Sequence, residues 1–76
     1  MKRILLLGAG RSSASLIRYL LDNARACNWR LTVGDVSADL ALQKIGSSEF
    51  GTAVQFDINN VDDSREIISG ADIVIS

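Results

Sequence analysis

The sequence predicts an α/β protein built on a doubly wound parallel sheet, and three observations carry that prediction. The run Ile4-Leu5-Leu6-Leu7 is continuously apolar rather than alternating, as a strand covered by helices on both faces requires. It passes directly into a glycine turn, Gly8-Ala9-Gly10, that opens a segment of helical periodicity. Apolar strand-like runs and helical segments then alternate to the end of the sequence in a βαβαβαβ order with tight connections, which calls for parallel strands and right-handed crossovers.

The elements follow in order. The first strand is expected over residues 3–7. The first helix is expected from Ser12 to Cys27, with Ile17, Leu20, Leu21 and Ala24 on one apolar face and Leu16 widening it. Arg18, Asp22 and Arg25 fall on the solvated side. The second strand covers Leu31 to Gly34, entered through Trp29-Arg30. Ser37 is a good N-cap for a short helix over Ala38 to Ile45, and Gly46 is its stop. Ser47 to Thr52 reads as a polar loop and Ala53 to Phe56 as the third strand. Asn59 or Asn60 caps a third helix over Val61 to Ser69, whose first-turn acids Asp62 and Asp63 complement the positive helix end; Gly70 stops it. Ile73-Val74-Ile75 is the fourth strand.

This is the first half of a Rossmann-like fold, with expected strand order 3-2-1-4. Residues 1–76 make one dinucleotide-binding domain, expected to be the N-terminal half of a longer chain. Otherwise the fourth strand is an edge that needs a cover or a partner, a homo-oligomer included. A domain of this size buries only roughly 60% of its unfolded surface, so marginal stability is expected.

Composition narrows the function classes. A net charge of −1 leaves no electrostatic footprint for nucleic acid or an anionic membrane. The longest purely apolar run is far short of a membrane span. Histidine is absent, which removes the commonest general base and a common metal ligand, so no metal site is expected. One cysteine, Cys27, with no signal peptide suits a reducing cytoplasm; without a neighbouring base or ligand it reads as structural. Trp29 reads as packing.

The chemistry lies at the carboxyl ends of the strands. Gly8 permits the tight turn, and Gly10 lets the backbone approach a phosphate with no Cβ in the way. The helix that follows aims unpaired N–H groups at that phosphate. Ser13 stands where glycine or alanine is usual; it is still small enough for close packing, and Ser12 or Ser13 can donate a hydroxyl to a phosphate oxygen. The plain alternative is a β-turn-α corner with a serine cap. Arg11 either lies over the pyrophosphate or is an exposed rim arginine.

Asp35 ends the second strand 25 positions after Gly10, near the usual spacing of ~20 for the carboxylate that holds the adenosine ribose. Its alternative role is a turn or helix-capping aspartate, given Val36 and Ser37 behind it. A carboxylate ~4 Å from a 2′-phosphate would be repelled by about 4 kcal/mol per pair of unit charges at an effective dielectric of ~20. No basic residue occupies positions 36–43 to offset this. NAD is therefore favoured over NADP. Asp57 and Ile58 flank the adenine, or else Asp57 begins a turn. Ser76 falls at the switch point.

Together the strings LLLGAGRSS, LTVGD, FDIN and ADIVIS resemble the N-terminal segment of the saccharopine dehydrogenase (saccharopine reductase) family of lysine metabolism, across the whole chain. The resemblance implies an oxidoreductase that oxidises a secondary amine with NAD or NADP, hydrolysis of the imine giving glutamate and aminoadipate semialdehyde. It implies Gly8, Gly10, Arg11 and Ser12 at the pyrophosphate, Asp35 at the ribose, and Asp57-Ile58 at the adenine. The small amino-acid-like substrate belongs to a later domain, so no catalytic residue is assigned. Carboxynorspermidine dehydrogenases share the pattern. Two other readings are an NAD-sensing regulatory domain without hydride transfer and a short-chain reductase. The latter needs a tyrosine and a lysine at helical spacing, and Tyr19 is followed four residues on by Asn23.

Overall fold

The computed structural model describes residues 1–8, 14–57, 59 and 61–75, and of residues 61–64 the backbone alone. The elements are β1 (Lys2–Leu7), α1 (Ala14–Asp22), α2 (Ala24–Cys27), β2 (Trp29–Asp35), α3 (Ala38–Ile45), β3 (Gly51–Gln55), α4 (Val61–Ser69) and β4 (Ile73–Ile75). All four strands are parallel, in the order β3-β2-β1-β4, as the sequence predicted.

The register follows from burial. Ile4 pairs with Leu31 and Leu6 with Val33. Alternation puts these four side chains on one face, where they meet Ile17 and Leu20 of α1 and Ala41 and Ile45 of α3 in the main core. Leu5, between them, points to the opposite face and is also buried. Removing each such aliphatic side chain from water contributes roughly 1.5–3 kcal/mol, enough to forbid a slip that would turn every one of them over.

The expected first helix is divided. α1 ends at Asp22 and α2 restarts at Ala24; Asn23 between them has φ −101° and ψ 0°, at the edge of the right-handed helical region. Two side chains supply the physical reason. Asn23 Nδ2 donates to the Tyr19 carbonyl (2.8 Å), and the indole Nε1 of Trp29 donates to the Leu20 carbonyl (2.6 Å). Side-chain donors that take helix carbonyls offer the backbone an alternative to its regular ladder. Trp29 also packs partly buried against the core, as expected. Cys27, expected to be structural, is instead exposed, at the end of α2.

The other departures are at strand ends. β2 starts at Trp29, not Leu31, and β3 runs Gly51–Gln55 rather than Ala53 to Phe56. Gly51 belongs to the ladder, paired with Leu31, because it has no side chain: a Cβ there would lie 2.5 Å from Ile45 Cγ2. Phe56 leaves the strand but its N–H still donates to the Asp35 carbonyl (2.8 Å). α3 has the expected bounds. Ser37 Oγ accepts from the Leu40 N–H (3.3 Å), and Gly46 caps the C-terminus at φ 67° with its N–H on the Leu42 carbonyl. Among the described residues no helix is long and apolar enough to cross a membrane.

Candidate functional site

Parallel pairing brings the carboxyl ends of β1, β2 and β3 to one end of the sheet, and with them Gly8, Asp35 and Asp57. Leu7 pairs with Gly34 and Asp35 with Gln55, so the three chain exits are level. With order 3-2-1-4, the reversal of strand order falls between β1 and β4, where open α/β sheets carry their ligand crevice.

Gly8 leaves β1 at φ +98°, a conformation that side chains rarely adopt. Its N–H donates to the Gly34 carbonyl at 2.7 Å, extending the ladder by one bond. That amide is therefore spent on the sheet. A Cβ built on it would have no heavy atom within 4 Å. Among the described residues, then, nothing fills that position. Gly10, Arg11, Ser12 and Ser13, expected at the pyrophosphate, lie outside the described residues, as do Ile58 and Ser76.

Asp35 is half-buried at the end of β2. Its Oδ1 accepts from the Ser37 N–H (2.9 Å), and its backbone carbonyl holds Phe56. The turn role read as the alternative for Asp35 is thus present. The Ser37 N–H takes one of the about four acceptor positions of a carboxylate. The Ser37 contact orients the carboxylate. Gly34 just before it is tightly packed, with a built Cβ lying 3.1 Å from Phe56 Cβ and 3.3 Å from Leu7 Cδ2.

Asp57 repeats the arrangement at the end of β3: it is exposed, and its Oδ1 accepts from the Asn59 N–H at 2.9 Å. The turn reading of Asp57 is likewise present.

Two residues of this end were missed in the sequence. Val36 is 71% exposed immediately after Asp35. Gln55 Nε2 donates to the Val36 carbonyl (3.4 Å), fastening the loop after β2 to β3. A valine following a strand-ending aspartate, outside any apolar period, was the available signal for the first; nothing local announces the second. Among the described residues no group of three or more His, Cys, Asp or Glu side chains is gathered to hold a metal. No protein-family model matches the sequence, and neither does any curated protein.

Proposed function

We propose that this chain binds a nicotinamide dinucleotide across the carboxyl ends of β1, β2 and β3, with NAD preferred to NADP, as the cofactor part of an oxidoreductase. The observation that carries the proposal is Gly8: a positive-φ exit from the first strand, with no heavy atom of the described residues within 4 Å of where a Cβ would stand. That exit is the tight turn which the first glycine of a dinucleotide-binding corner supplies. Asp35, set by Ser37 at the end of the neighbouring strand, supports the ribose assignment and the preference for the unphosphorylated cofactor. When bound, the cofactor would accept or deliver hydride; this chain's own contribution is to hold and orient it. Oxidation of a secondary amine of saccharopine type rests on the strings LLLGAGRSS, LTVGD, FDIN and ADIVIS alone. The substrate would be small and amino-acid-like, held by residues outside this chain.

Calorimetric titration with NAD and with NADP, alongside circular dichroism to establish folding, tests the reading. NAD binding at least tenfold tighter than NADP is expected. Folded protein that binds neither dinucleotide refutes the function, and equal or tighter NADP binding refutes the role given to Asp35.

A further inference from the structure

The register places two arginines side by side. Arg3 of β1 pairs with Arg30 of β2. Like charges directly opposite one another in a strand pair are destabilising, so the arrangement calls for an explanation. Both side chains fall on the α4 face of the sheet, the face of Leu5, Thr32 and Val54.

Neither guanidinium is neutralised among the described residues. Arg30 Nη2 donates to a backbone carbonyl, that of Glu49 (3.3 Å), while the Glu49 carboxylate faces Arg25 Nη2 (3.3 Å). Asp72 accepts the backbone N–H of Arg3 on Oδ2 (2.8 Å) and donates its own N–H to the Arg3 carbonyl (2.8 Å). Both carboxylates are therefore turned to other tasks.

Between the arginines and α4 lies a groove of about 340 Å³, with Leu5, Thr32 and Val54 on its floor, Ile67 as its wall and Arg3 and Arg30 at its rim. That volume falls in the range of small-molecule sites. An apolar trough lined by two cations from paired positions matches a molecule with an apolar chain and a single anionic head. We infer that this groove binds a small amphipathic carboxylate, its head shared by Arg3 and Arg30 and its chain laid along Thr32, Val54 and Ile67. Arginine suits this task because its planar fork matches a carboxylate. Arg3 and Arg30 lie toward the amino-terminal ends of β1 and β2, the opposite end of the sheet from Gly8 and Asp35, and none of the groove's residues belongs to the dinucleotide proposal.

Octanoate is the probe, titrated into the full chain and followed by amide chemical shifts, with octanol and acetate as controls. Saturable octanoate binding is expected, its shifts centred on Leu5, Thr32, Val54 and Ile67, and weakened by salt. Octanol and acetate are each expected to bind at least tenfold more weakly. Arg3→Gln and Arg30→Gln, checked for folding by circular dichroism, are each expected to lose at least tenfold in octanoate affinity. Octanol binding as well as octanoate would reduce the site to a bare apolar groove and overturn the inference. Acetate binding equally well would reduce it to an unselective pair of cations and overturn it too. An absence of saturable shifts overturns it outright, and since these three comparisons use the unaltered chain, they decide even if a variant fails to fold.

Discussion

The Ser37 backbone N–H donates to Asp35 Oδ1 at 2.9 Å, and Ser37 Oγ in turn accepts the Leu40 N–H at 3.3 Å. A strand-ending carboxylate is thereby linked through one serine to the first turn of the next helix. The side chain proposed for the ribose is oriented by the backbone of the residue whose side chain caps α3.

Asp35→Asn separates charge from geometry. The amide oxygen still accepts from Ser37, so the fold is expected to be kept. The repulsion toward a 2′-phosphate is lost, and the NAD-to-NADP affinity ratio should fall by at least tenfold, a change of about 1.4 kcal/mol. Parallel titrations with the two dinucleotides measure it. An unchanged ratio would put Asp35 away from the ribose.

Ser37→Ala removes the side-chain acceptor of the cap. A loss of about 1 kcal/mol in unfolding free energy is expected from urea denaturation. The backbone N–H to Asp35 remains, so the cofactor ratio should hold while stability falls; a shift in that ratio as large as the one in Asp35→Asn would contradict the division of roles.

Gly8→Ala tests the corner itself. Among the described residues nothing crowds the added methyl, so the expected penalty is conformational, roughly 1–2 kcal/mol for a side chain held at positive φ. The methyl points into the space assigned to the pyrophosphate, so dinucleotide affinity is expected to drop much further than stability does. Binding of NAD at the unaltered affinity would show that the ligand does not come near this turn.

Gly51→Ala and Gly70→Ala form a matched pair. The first sets a methyl 2.5 Å from Ile45 Cγ2 and 3.1 Å from Leu21 Cδ2, and overpacking of this kind costs about 1–3 kcal/mol. The second meets nothing closer than 3.8 Å and is expected to be neutral or slightly stabilising. Denaturation midpoints compare them directly; equal effects would mean that the approach of β3 to α3 is not tight.

Much of this architecture was legible locally. A continuous apolar run declared β1 to be covered on both faces, and Leu5, buried on the face opposite Ile4 and Leu6, agrees. The bounds of α3 and α4 were readable because caps and stops act within a few residues: Ser37 on Leu40, Gly46 on Leu42. The aspartates at the ends of β2 and β3 were visible too, together with the turns they hold.

What the sequence determined by itself was the succession of elements, their periodicity and their caps, since these depend on hydrogen bonds and apolar spacing over a handful of positions. Tertiary structure alone decided the break at Asn23, where the indole of Trp29 returns to the Leu20 carbonyl, and the entry of Gly51 into β3, which depends on the closeness of Ile45. It alone set Arg3 beside Arg30. The two are 27 positions apart in the chain, and only strand register, chosen by the burial of Ile4, Leu6, Leu31 and Val33 on the other face, makes them neighbours.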